Sequence, residues 1–156
     1  DADQGVLAIR WETFPSGSEL CGIPAGGTRW NVSNPPGRAT DYLFHMQGMG
    51  LTRLATKHLP RLVGQTLDEA GLTASDIDVV IPHQASSLGM RYARERLGLH
   101  ADKVVDILAD HGNQVSASLP TALDRAVRTG RLPPGGTALL LGTGAGVARA
   151  AMVLRT

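Results

Sequence analysis

A single cysteine, Cys21, stands among 156 residues, and one thiol makes neither an internal disulfide nor a multi-Cys metal cluster. An excess of charge is also missing. The formal net charge is +1 and charged residues make up 19% of the chain, so nothing in the composition draws it to nucleic acid or to an anionic membrane. No stretch reaches the ~18 apolar residues of a spanning helix. Lysine is nearly absent: Lys57 and Lys103 are the only two among 15 basic residues. No Gly-Lys-Ser/Thr is present for a phosphate loop, and Gly142-Thr143-Gly144-Ala145-Gly146 is not followed by the helix that a dinucleotide-binding turn needs. Metal-ligand spacing is missing too, since His45, His58 and His100 are scattered. The start, Asp1-Ala2-Asp3-Gln4-Gly5, has no basic region, no long apolar run and no initiator Met. It does not read as a signal peptide. The expectation is a processed product or a piece of something longer, in a reducing cytoplasm.

What is present suits one α/β domain with enough material for a sizeable core. Residues 5–14 (GVLAIRWETF) read as a strand. Residues 15–38, rich in Gly, Pro, Ser and Asn, read as a long surface excursion. From 41 to 71 helical spacing takes over, with Leu43, Met46, Leu51, Leu54 and Leu59 on one stripe and Leu62, Val63, Leu67 and Ala70 continuing it. Pro60 kinks or divides this segment. Residues 78–82 (DVVIP) and 103–108 (KVVDIL) read as buried strands, with a helix over 86–97 between them. A further helix spans 113–129 with Pro120 inside it. Residues 137–142 and 147–154 read as two closing strands joined by a glycine-rich tip, an antiparallel hairpin. The order is strand, helix, strand, helix, strand, helix, strand, strand. Apolar strands between helices indicate a mixed five-stranded sheet with helices on both faces.

Two segments concentrate the chemistry: Pro82-His83-Gln84-Ala85 and His111-Gly112-Asn113. Each sits where an apolar strand gives way to a helix, the edge where open α/β sheets bind ligands. Taken alone, His83 is equally a core histidine satisfied by backbone groups, and Asn113 is first an N-cap. Taken together, they lie at successive junctions. If the two strands are adjacent, their ends are about 5 Å apart, and both side chains can donate to one developing oxyanion. No nucleophile accompanies them. Cys21 lies in the Gly/Pro-rich excursion, away from any strand-to-helix junction that lowers a thiol pKa. Ser116, Ser118 and Thr121 read as helix surface or tunnel lining.

The two segments and the closing glycine-rich hairpin, in this order and spacing, resemble the C-terminal half of a β-ketoacyl-acyl carrier protein synthase III, a condensing enzyme of thiolase-like fold. The resemblance runs from about residue 41 to 156, is clearest from 76 onward, and extends more weakly over 5–38. It implies a half-fold, βαβαβαββ, over residues 1–156. It also implies a Cys-His-Asn triad whose cysteine lies in an N-terminal half outside this chain. By this resemblance, the cysteine takes an acyl group from coenzyme A. His83 and Asn113 then hold the enolate formed when malonyl-acyl carrier protein loses carbon dioxide. Within the turn of Gly144, Ala145 and Gly146, the Ala145 N–H joins a second oxyanion hole. His111 orients its turn.

The implied partners are acyl carrier protein, acyl-CoA and the N-terminal half. The complete enzyme would be a cytoplasmic homodimer of fatty-acid or polyketide-type biosynthesis, with no cofactor beyond coenzyme A thioesters and no metal. This chain alone should be inactive. Two departures stand out. Ser86-Ser87-Leu88 replaces the family's Asn and following basic residue, leaving Arg91, Arg94 and Ser86 as the candidate contacts to carrier or coenzyme A. Thr143 stands where the family carries Phe, which opens the choice of starter group. Two alternatives stay open: an acyltransferase of specialised metabolism that forms an ester or amide, and a non-catalytic thiolase-like partner subunit.

Overall fold

The computed structural model describes residues 4–156; Asp1, Ala2 and Asp3, part of the start read above as lacking a signal peptide, lie outside the described residues. In chain order the elements are β1 (Gly5–Thr13), β2 (Cys21–Gly22), β3 (His45–Met46), α1 (Gly48–Thr56), α2 (Leu59–Glu69), β4 (Val79–Pro82), α3 (Ser87–Arg96), α4 (Leu108–His111), α5 (Ser118–Arg128), β5 (Thr137–Gly144) and β6 (Ala148–Arg155). They divide into two units. The first runs to Glu12 and takes in His58–Thr143 and Arg149–Thr156; the second is Thr13–Lys57 with Gly144–Ala148.

The first unit is built on a four-stranded sheet of order β1-β6-β5-β4. β4 runs parallel to β5, with Val79 opposite Ala138 and Pro82 opposite Leu141. Side chains alternate across a strand, so the run VVIP feeds both faces. Val80, Leu139 and Leu141 pack with Leu62, Val63 and Leu67 of α2 and with Met90 and Ala93 of α3. Val79, Ile81, Ala138 and Leu140 pack with Ala122 and Ala126 of α5. Helices therefore cover both faces, as a fully apolar strand requires. Each fully buried Leu or Ile in these layers contributes roughly 2 kcal/mol.

One charged group enters this core. The Arg149 side chain on β6 is fully buried and pairs with Glu12 of β1, which also takes Arg61 of α2 at 3.0 Å. Burial pushes the Glu12 carboxyl up, but the two guanidinium groups outweigh it and hold the pKa below the usual 4.5.

The expected strand over 103–108 is reduced to a single parallel bridge, Val80 to Val104, with Val105 N–H donating to Val80 O at 2.8 Å. Val104, Val105 and Ile107 are nonetheless buried. The segment thus occupies the fifth position beside β4 without a continued ladder, and α4 begins at Leu108. The helix expected from 113 starts at Ser118, after a short 3-10 turn over Val115–Ala117. Pro120 therefore falls in its first turn, where its missing N–H costs nothing. Likewise the 41–71 stretch is two helices, not one. The chain turns at His58, whose φ is 62°, and Pro60 sits in the first turn of α2.

The second unit pairs β2 with β3 antiparallel, Cys21 opposite Met46. Leu43 and Met46, expected on the helical stripe, precede α1 and are exposed. Phe14 and Val147 exchange both main-chain hydrogen bonds, at 2.8 and 3.1 Å. Gly17 sits so close beneath them that a Cβ would lie 2.5 Å from Val147 Cγ2 and 2.7 Å from Leu54 Cδ2. Among the described residues, no helix is long and apolar enough to cross a membrane.

Candidate active site

β4 ends in Pro82, and the next residue carries the ladder one step further: His83 N–H donates to Leu141 O at 2.7 Å. This pins the His83 backbone at the carboxyl edge of the sheet. Its ring is half-buried. Burial pushes the imidazole pKa below its ordinary 6.5, because desolvation disfavours the cation. At neutral pH the ring is therefore uncharged, with one nitrogen a donor and the other an acceptor.

Asn113 follows Gly112, whose φ of 65° ends α4 in a conformation that glycine adopts without a steric cost. The Asn113 side chain is not the helix cap its isolated reading suggests. Its Oδ1 accepts from Val115 N–H at 2.9 Å, closing a local turn. That bond uses the acceptor end of the amide, and Nδ2 remains its donor end. Val115 itself has φ 56° and is exposed. A β-branched residue there is strained. Gln114 N–H donates to Ser118 Oγ at 3.2 Å, tying the turn to the start of α5.

One residue of the first motif had been given no role by the sequence. Gln84 is completely buried. Its Nε2 donates to Pro82 O at 2.8 Å and to Val105 O at 3.2 Å, and its Oε1 accepts from Ile107 N–H at 3.1 Å. It joins the His83 junction to the segment that leads into α4. The available signal was a long amide set directly after an apolar strand, where an uncompensated polar group would be costly.

The remaining candidates are placed as follows. Ser86 caps α3, its Oγ accepting from Gly89 N–H at 3.2 Å. Arg94 pairs with Asp106, while Arg91 is exposed. His111 is exposed at the end of α4. Gly144 ends β5, and Ala145 and Gly146 lie in the β5–β6 connection; all three fall in the second unit, with Ala145 exposed. Cys21 is half-buried on β2, in a two-stranded ribbon. The second unit also holds a cleft of about 480 Å³ whose lining includes Arg29, Trp30, Arg38 and His45. Its charges are matched internally, Arg38 to Asp41 at 2.9 Å and Arg29 to Glu19 at 4.0 Å. Among the described residues, no cluster of three or more His, Cys, Asp or Glu could hold a metal ion.

Known proteins share this fold and part of this sequence. The family model for the 3-oxoacyl-[acyl-carrier-protein] synthase III C terminal matches residues 67–156. A β-ketoacyl-[acyl-carrier-protein] synthase III of Neisseria meningitidis is 36% identical over 151 residues, covering 97% of this chain and 45% of that protein. The chain thus spans less than half the length of the curated relatives it matches. The 3-oxoacyl-(acyl carrier protein) synthase III of Pseudomonas aeruginosa superposes with a TM-score of 0.82 at 30% identity, over 99% of this chain and 46% of that one. That of Thermus thermophilus gives 0.84 at 29% identity, over 97% and 46%. A priming β-ketosynthase from a polyketide pathway gives 0.82 at 30% identity, over 97% and 45%. A thiolase-like half-fold with a junction histidine and asparagine, matched over most of its length, places this chain in the β-ketoacyl-acyl carrier protein synthase III family, as its C-terminal part.

Proposed function

We propose that this chain is the C-terminal catalytic half of an enzyme performing decarboxylative Claisen condensation. His83 and Asn113 Nδ2 donate to the thioester oxygen of a malonyl group on acyl carrier protein. The bond to the carboxylate breaks, carbon dioxide leaves, and the electron pair enters an enolate held by the two donors. The enolate carbon attacks an acyl group carried as a thioester on a cysteine of the N-terminal half, which it received from acyl-CoA. The oxyanion of that adduct is taken by the Ala145 N–H, between Gly144 and Gly146, and by the cysteine's own N–H. Collapse expels the thiolate and releases the β-ketoacyl product. Arg91, whose charge is exposed, is the carrier or coenzyme A contact; Arg94 and Ser86 shape α3 around it. The complete enzyme is a cytoplasmic homodimer that uses no cofactor beyond its thioester substrates, and this half alone is inactive.

The observation that carries the reading is a half-buried His83 held at the carboxyl end of β4 through Leu141 O, together with an Asn113 whose Oδ1 already accepts from Val115 N–H. Two donors suit a developing oxyanion; an ester- or amide-forming acyltransferase has no enolate to stabilise. The test uses the full-length protein with acyl-CoA and malonyl-acyl carrier protein. Carbon dioxide and β-ketoacyl-carrier product are expected in equal amounts. An ester or amide product without carbon dioxide contradicts the reading.

A second reading keeps the chemistry and changes the starter. Thr143 replaces the family's Phe, and a polyketide priming β-ketosynthase is 30% identical. A panel of acyl-CoA starters in the same assay distinguishes fatty-acid from specialised-metabolite priming.

A further inference from the structure

Resting on the condensation reading above, we infer that Gln84 is a positioning residue that sets the relation between the two oxyanion donors. The main-chain ladder between β4 and the 104–107 segment makes its bridge at Val80 and Val104. Past Val105 N–H, which donates to Val80 O, the Gln84 carboxamide takes over. Its three hydrogen bonds reach Pro82 O, Val105 O and Ile107 N–H. A side chain thus substitutes for a continuing strand pair. On one side it is covalently next to His83. On the other it holds Ile107, the residue before α4, whose far end leads through Gly112 to Asn113.

Complete burial keeps Gln84 out of reach of any substrate, so its influence passes through the groups it holds. Both oxygens it donates to and the N–H it accepts from are otherwise buried main chain, which makes the link costly to lose. A misplacement of about 1 Å between reacting groups costs about a hundredfold in rate, and this link is what fixes one donor's backbone against the other's.

The experiment compares Gln84→Met, His83→Ala and the double variant in the full-length protein. Methionine keeps the length and removes all three hydrogen bonds. Malonyl decarboxylation should fall about a hundredfold in Gln84→Met. KM for malonyl-acyl carrier protein and the rate of cysteine acylation from acyl-CoA should stay within about twofold. On the His83→Ala background the Met substitution should add no further loss, because residues acting as a unit are non-additive. Unchanged decarboxylation, a proportional fall of both partial reactions, or a full additional factor on the His83→Ala background each overturns the inference.

If Gln84→Met does not fold, Gln84→Asn, one methylene shorter, is expected to give the same split. In the unmodified protein the Ile107 amide should be protected from hydrogen exchange; rapid exchange there overturns the link itself. Decarboxylation that survives His83→Ala defeats the condensation reading, whereas loss in His83→Ala with a silent Gln84→Met defeats only the role of Gln84.

Discussion

At the scale of single residues, burial and one hydrogen bond decide what His83 and Asn113 can do. A solvent-facing histidine would be partly cationic near its ordinary pKa of 6.5; desolvation holds His83 neutral to lower pH. The rate of malonyl decarboxylation by the full-length protein should therefore stay level as pH falls through 6.5 and drop only below it. Folding stability follows the same sign. The unfolded chain binds the proton more readily, so the contribution of His83 is complete above 6.5 and is lost as pH falls through the depressed folded value. A pH–rate profile checks the first statement, and a drop in rate beginning above pH 6.5 contradicts it. Asn113 shows the limit of reading a residue by type. Its residue type suggested a helix cap, yet its oxygen closes a turn onto Val115, whose positive φ carries a strain of about 1–3 kcal/mol.

Among elements, the apolar run VVIP and the closing hairpin were legible because burial on both faces leaves a continuous signature. The 103–108 segment was read as a buried strand; its burial holds, but its pairing shrinks to one bridge. Beyond that bridge Ile107 N–H donates to the Gln84 side chain, 23 positions away, and a side-chain hydrogen bond leaves no period in a sequence. Leu43 and Met46 fitted a helical stripe by spacing alone, but the helix begins only at Gly48. The network of Glu12 on β1, Arg61 on α2 and Arg149 on β6 was equally hidden, since its members lie far apart in the chain. It predicts a measurable weakness. Glu12→Gln removes the countercharge of a fully buried guanidinium and should destabilise the fold by about 3 kcal/mol. Chemical denaturation checks the value, and a change below about 0.5 kcal/mol, as for an exposed pair, contradicts it. The carboxyl's depressed pKa gives this contribution a pH window: it is present above 4.5 and lost as pH falls through the lower folded value.

At the scale of the whole molecule, the chain is the C-terminal part of a longer family pattern, with His83 and Asn113 proposed as its two donors. It spans 45% of the relatives it matches, and the single cysteine lies on a two-stranded ribbon. The family was legible in two short motifs and a glycine-rich hairpin, through their order and spacing. The starter group was not legible, because neither motif nor hairpin encodes an acyl chain length. The proposed role of His83 is to stabilise an enolate, not to act on the acyl transfer that precedes it. The direct measurement takes His83→Ala in the full-length protein and follows the two partial reactions separately. Malonyl decarboxylation should fall by about 10²–10³, while acylation of the cysteine from acyl-CoA continues near its normal rate. Undiminished decarboxylation, or loss of acylation in equal measure, contradicts the account.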